Sequence, residues 1–238
     1  MALLAYNPSI FPEARSFREA RQEARMIQVR ESYQVKFGRI DQAVEYWSRL
    51  PREVAAWPKR RESYEVLTDL SGEMFTLVVA HHVESVETWQ ALLTAVRQDR
   101  AYQEWFRSFK QFAEDGQRQF LHVEQANPGW SAPGTIIVRS CFRALEWRVA
   151  EALELIHTYG ALLVDQGVGQ RPRLLSDMSG RMFNVIIEIE TANLKDWDDH
   201  RRTMFLDAQF QVWFRRLTTC VSHGSHAFFT VAGPAEEG

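Results

Sequence analysis

The chain has 238 residues, with 28 Lys or Arg against 31 Asp or Glu and a net charge of −3. That length suits one large domain or two of about 100 residues, and with 45% hydrophobic and 25% charged residues a packed core is expected. The composition excludes three classes: no concentrated positive face marks a nucleic-acid partner, no apolar run of about 18 residues marks a membrane span, and Cys141 and Cys220 are too few for a disulfide scaffold, which fits a reducing, cytoplasmic setting.

Residues 1–25 differ in pattern from the rest of the chain. "PEARSFREARQEAR" opens on Pro12, sets Arg15 and Glu19 at helical pair spacing and carries a thin stripe of Ala14, Phe17 and Ala20 or Ala24. A solvated helix packing on the body of the protein or on a neighbouring subunit is expected. "MALLAY" is too short for a signal sequence, and Glu13, Glu19 and Glu23 argue against a mitochondrial presequence.

From Met26 the pattern becomes regular. "MIQVRESY" alternates and predicts a strand; Ile40, Ala43, Val44 and Trp47 then keep helical spacing until Pro51 interrupts it. "SYEVLT" and "MFTLVVAHH" read as strands around a hairpin turn at Asp69 to Gly72. Ser85 caps a helix striped by Val86, Trp89, Leu92, Leu93 and Val96. Asp99 restarts it, with Trp105, Phe106, Phe109 and Phe112 as the next stripe and Gly116 as its stop. "RQFLHVE" reads as the closing strand.

The order then recurs. "LTDLSGEMFTLVV" from Leu67 returns 108 residues later as "LSDMSGRMFNVII" from Leu175, and over positions 67 to 123 this offset gives 15 identities in 57 pairs, with rare Trp, Phe and Met among them. Chance does not produce that. Upstream the offset is 109, with "IQVRESY" lying over "IVRSCF" and its preceding isoleucine. The expected organisation is an extension at 1–25, a first unit at 26–125, a linker at 126–134 ("ANPGWSAPG"), a second unit at 135–232 and a flexible tail at 233–238. The second unit is expected to place strands near 135–142, 172–176, 182–190 and 226–232, with helices near 146–159 and 194–223.

Each unit therefore reads βαββαβ, the ferredoxin-like order, with an antiparallel sheet and both helices on one face. "TLVVA" and "NVII" are apolar on both faces, so the free face needs a cover. The two sheets packing face to face supply it: an α+β fold of tandem ferredoxin-like repeats forming an α/β barrel. With these residues in place, the sequence resembles the dimeric α/β-barrel superfamily in tandem single-chain form, and "RQDRAYQEWFR" after an apolar strand and a Trp-bearing helix resembles its NIPSNAP-type branch.

Strand alternation assigns the lumen. If Ile27, Val29 and Tyr33 face the helices, Gln28, Arg30 and Ser32 face inward, as do Arg139 and Cys141; Thr76, Val78, Ala80 and His82 correspond to Asn184, Ile186, Glu188 and Glu190. The expected ligand-binding candidates are Arg30, His82, His122, Arg139, Glu188 and Glu190, with an Arg139 to Glu188 bridge as the structural alternative, since buried charges are usually paired. The Asp-x-Ser-Gly turns lack the glycines of a phosphate loop. Trp105, Phe106 and Arg107, repeated as Trp213, Phe214 and Arg215, read as packing. Cys220, His223 and His226 make only half a zinc pattern, with His223 better explained as a cation at a helix end. No metal and no cofactor are expected.

The resemblance implies a barrel that binds a small molecule or forms an assembly, possible homo-oligomers included. Its alternatives are a cofactor-independent monooxygenase or isomerase acting in the lumen, or a haem protein of the chlorite dismutase-like or dye-peroxidase-like kind, for which His157 and His200 are the histidines to consider.

Overall fold

The computed structural model describes residues 26–55, 57, 64–125, 130–167 and 169–232. The helical reading of 1–25 and the tail at 233–238 lie outside them. The described residues form β1 (Ile27–Val35), α1 (Ile40–Glu53), β2 (Tyr64–Asp69), β3 (Thr76–Val83), α2 (Val86–Gln98), α3 (Arg100–Phe109), β4 (Ala113–Gln125), β5 (Ile136–Ala144), α4 (Val149–Asp165), β6 (Gln170–Asp177), β7 (Asn184–Thr191), α5 (Leu194–Met204), α6 (Ala208–Thr218) and β8 (Val221–Val231). The strands close into one antiparallel barrel in the order β1-β3-β2-β8-β5-β7-β6-β4.

Each half of that order is a ferredoxin-like sheet, and the halves meet twice, β2 on β8 and β4 on β6. The helices lie outside, covering Leu77 and Val79 with Trp47, Val96 and Trp105 in the first unit, and Val185, Ile187 and Ile189 with Leu153, Trp197 and Trp213 in the second. Ser85, Asp99, Asn193 and Asp207 each cap a helix with a side-chain oxygen, satisfying an amide that a first helical turn leaves free. The Trp105 indole donates to the Tyr46 carbonyl at 3.1 Å and the Trp213 indole to the Leu155 carbonyl at 2.6 Å. The repeated tryptophan thus pins the last helix of each unit to its first.

The Ser-Gly motif does more than turn a hairpin. The amides of Leu70 and Ser71 donate to the Phe228 carbonyl at 2.8 and 3.2 Å, and the Phe228 amide returns to Ser71 Oγ at 3.0 Å. Met178 and Ser179 do the same to Phe120, whose amide reaches Ser179 Oγ at 2.8 Å. Each copy therefore clamps the last strand of the other unit. Phe75 and Phe183, at the motif's end, hold positive φ of 60° and 67°, a conformation that costs a bulky side chain about 1–3 kcal/mol. Their carbonyls accept from the Val35 and Ala144 amides, both at 2.8 Å, and so fasten the exits of β1 and β5.

Three expectations need correction. The first helix continues through position 51 to Glu53, because a proline in the last turn disturbs few remaining bonds. The 194–223 segment is two helices, with Asp207 capping the second. Gly116 is not a helix stop and His223 is not a helix-end cation, since they lie, with Gly224, inside the long strands β4 and β8. A Cβ on Gly116 would stand 2.9 Å from the Tyr33 ring, and one on Gly224 would stand 3.1 Å from Phe142. These glycines make room for an aromatic ring on the neighbouring strand.

Because the clamps are reciprocal, Ser71→Ala and Ser179→Ala should each lower stability by about 1 kcal/mol, the usual worth of one such bond. Urea unfolding measures both variants; an unchanged midpoint in both would remove the clamp's energetic role.

Candidate functional site

The lumen is where β1, β3, β5 and β7 turn alternate side chains inward, and its centre is Glu188. Arg30 Nη2 and Arg139 Nε both donate to Glu188 Oε1 at 2.6 Å, and Arg173 Nε lies 3.3 Å from Oε2. Arg173 Nη2 also donates to Glu65 at 2.9 Å. Arg30 and Arg139 occupy equivalent strand positions, and Glu65 and Arg173 are 108 residues apart, so the network straddles the pseudo-twofold axis of the barrel. Gln28 bridges Arg30 to His82, which stacks on Trp130 with centroids 4.1 Å apart. Ser131 ties Glu65 to Glu190 through its amide and hydroxyl, at 3.0 and 2.7 Å.

Of the sequence candidates, Arg30, His82, Arg139, Glu188 and Glu190 share this network. His122 does not: it pairs with Ile27, whose side chain faces the helices, and is exposed on the outer side of β4. Its neighbours Leu121 and Val123 are the residues that enter, so the parity there is shifted by one. Sequence reasoning missed Arg173, Glu65, Trp130 and Ser131. The opposite charges of Glu65 and Arg173 at one repeat position were the available signal.

The lumen's charges balance locally. Burial alone would raise the Glu188 carboxyl, yet Arg30, Arg139 and Arg173 outweigh it and hold the group well below the usual carboxylate range. Burial and Arg139 push Arg30 down to about 10, still cationic at neutral pH. Burial and Arg173 push His82 down to about 4, so it is neutral there.

A second, open space lies outside the barrel. A cavity of about 460 Å³ separates β5 and β8 from α5 and α6. Tyr159, Trp197, Phe205, Phe210 and Trp213 form its aromatic wall, Met204 adds a flexible side, and His200, Arg201, Ser222, His223 and His226 supply polar groups. Of the two histidines considered for the haem alternative, His200 lines this cavity and His157 does not. His226 Nδ1 is 2.8 Å from the buried Ser140 hydroxyl, which fixes the ring. Burial, with Arg201 adding to it, lowers the His226 pKa below its ordinary value, so the imidazole is neutral at physiological pH.

The first unit has the corresponding cleft, of about 370 Å³. Its Tyr102 and Phe106 match Phe210 and Phe214 of the cavity, whereas Arg97, Lys110 and Arg118 stand where the cavity has Phe205, Thr218 and His226. The strand pair beneath has diverged in step. Glu31 and Arg118 face each other across β1 and β4 as a charge pair, Arg118 Nε donating at 2.7 Å; Ser140 and His226 face each other across β5 and β8 as a neutral pair. Beside Glu31, His81 is enclosed by Trp47, Trp57, Tyr64 and Trp89. Burial and Arg118 drive its pKa to about 3.

No family profile and no curated protein matches the chain. Solved structures do. A monooxygenase-like protein from Fusobacterium nucleatum aligns at TM-score 0.67 with 11% identity, covering 89% of this chain and 94% of that one. The chain shares with this structure the fold of two tandem ferredoxin-like units closed into an α/β barrel. An anthrone oxidase-like protein aligns at 0.63 with 11% identity over 90% and 96% of the two chains. A chlorite dismutase from Candidatus Nitrospira defluvii aligns at 0.52 with 15% identity over 92% and 97%. NIPSNAP-family structures are among the neighbours too, one from Agrobacterium tumefaciens covering 40% of this chain and 90% of its own at 19% identity and a TM-score of 0.35. At these identities the likeness is one of fold.

The Glu188 network has a pH signature. A carboxyl whose folded pKa lies below its unfolded value adds stability above about pH 4 and loses it as pH falls toward the folded value. Glu188→Gln should cost about 3–5 kcal/mol at neutral pH, because three guanidiniums lose a buried counter-charge, and should flatten the acid limb below about pH 4. The decline that starts near pH 6.5 from buried, neutral His81 should remain. Urea unfolding across that range reads both; an acid limb identical to the parent's would contradict the assignment.

Proposed function

We propose that the chain is a small-molecule-binding α/β barrel whose ligand occupies the aromatic cavity of the second unit. The observation that carries this reading is the cavity itself: about 460 Å³, walled by stacked rings and ended by polar groups, within the size range and composition of small-molecule sites. Its walls favour a flat, aromatic ligand with one or two oxygen functions. The lumen supports the reading less well, since Arg30, Arg139 and Arg173 are already ion-paired to Glu188, although Arg30 Nε, Arg139 Nη2 and Arg173 Nη1 find no hydrogen-bond partner among the described residues.

A second reading, an oxygenase without metal or cofactor, has the Ser140 and His226 pair in its favour. In the tautomer this reading requires, Nδ1–H donates to Ser140 Oγ and leaves Nε2 of a neutral His226 as a base on a residue that lines the cavity. Two of the fold's neighbours are described as monooxygenase-like and anthrone oxidase-like. The corresponding reaction begins with His226 taking a proton from an acidic CH2 between aromatic rings. The anion then reduces dioxygen, one oxygen atom entering the ring as a carbonyl and the other leaving as water. Haem has one observation on its side as well: His200 Nε2 is buried and finds no hydrogen-bond partner among the described residues.

Calorimetric titration with 1-naphthol, anthrone and hemin tests these readings together. Binding of the aromatic ligands, weakened by at least about tenfold in Met204→Trp, which fills the cavity, is the expected result. No binding, or binding indifferent to that substitution, would overturn the site. If anthrone is consumed, His226→Gln should abolish turnover while retaining binding, and the parent rate should fall only at a pH below the ordinary imidazole range, where the base gains a proton. A Soret band formed with hemin and lost in His200→Ala would put haem in place of the organic ligand.

A further inference from the structure

We infer that the cleft of the first unit is a second, separate site, built for a small organic anion with a flat apolar part. Arg97 comes from the end of α2, Arg107 and Lys110 from the end of α3, and Arg118 from β4, and all four line one space with Leu93, Tyr102 and Phe106. Among the described residues, no carboxylate lines it. Arg97 and Arg107 make no ion pair with any described residue, Lys110 lies 5.4 Å over the Phe106 ring, and Arg118 is spanned between Glu31 beneath and the Trp89 ring at 5.4 Å. Such a group of cations in one concavity raises the local concentration of anions, and guanidiniums beside ring faces match a planar carboxylate.

The second unit serves as an internal control. Cations at helix ends are commonplace because they complement the helix dipole, and α5 and α6 carry them too, as Arg201, Arg202, Arg215 and Arg216. Yet in the second unit only Arg201 of these reaches the cavity, and the positions of Arg97, Lys110 and Arg118 hold Phe205, Thr218 and His226. The fold is the same and both units are packed, so neither the helices nor the barrel demands the basic lining. Tyr102 and Phe106, by contrast, remain aromatic in both copies. What distinguishes the first cleft is charge, and charge sets the class of its ligand: the same aromatic shelf, with an anion in place of a neutral oxygen function.

The test uses 2-naphthoate and its uncharged counterpart 2-naphthamide, titrated calorimetrically into the Met204→Trp protein, in which the second unit's cavity is filled. Naphthoate should bind and naphthamide should not, and affinity should fall as salt is raised, because the lining charges are solvent-accessible. The double variant Arg97→Gln with Lys110→Gln, both exposed and outside the core, should weaken naphthoate by at least about tenfold, the worth of one lost charge-assisted bond. Inorganic phosphate should bind more weakly than naphthoate, since it has no apolar part. Equal binding of naphthamide, indifference to the double variant, or no naphthoate binding would overturn the inference. Failure here leaves the aromatic cavity's own titration unaffected, because that site is filled throughout.

Discussion

Everything in this molecule depends on closing two four-stranded sheets into one ring. An open sheet has free edges, and each unit alone would leave two of them, together with an uncovered apolar face. Closure removes both problems, but it rests on short seams: β2 and β8 pair over only Leu67 to Asp69. The Ser-Gly turn extends that pairing by donating two amides and accepting one, at each end of the pseudo-twofold axis. Gly180 is closely packed there, since a Cβ would stand 2.9 Å from the Gln119 side chain. A motif that looks like a local turn is therefore long-range architecture.

Closure also decides what the interior can be. Inward positions of β1, β5 and β6 are sealed from water, so Arg30, Arg139 and Arg173 have to find carboxylates inside. Glu188 serves all three, and Glu65 takes Arg173's second group. Networks of this kind contribute specificity more surely than stability. Here they fix how the two units register, because members of both halves bond to the same carboxylate. Open space is consequently found outside the ring, between sheet and helices, where the two units were free to differ.

The fold was legible in the sequence because its carriers repeat. The offset of 108, the continuous apolar runs of "TLVVA" and "NVII", and Ser85 or Asp99 before an apolar stripe are local signals of local geometry. Parity along the strands correctly separated Arg30, His82, Arg139 and Glu188 from the helix-facing set and failed at His122, where no alternation of apolar residues anchored the register. The glycines misled because Gly116 after an aromatic run reads as a helix stop, while its reason is a Tyr33 ring from a distant strand. The cavities could not be read at all. The second unit's cavity is lined from three helices and two strands and the first unit's cleft from two helices and one strand, and residues such as His226 and Arg118 carry no signal until Ser140 and Glu31 are found opposite them.

Glu188 has a consequence for stoichiometry. Arg30 and Arg139 are mates under the pseudo-twofold, and both bond to this one carboxylate, whose own mate is Ala80. An exact twofold dimer writes every residue twice. Two copies of the second unit would put two glutamates at this position, and two copies of the first would put Ala80 there twice. A single glutamate at this position requires two different halves, which one fused chain supplies. Fusion has thus converted a symmetric pair into an obligate heterodimer of halves, and neither half can stand in for the other.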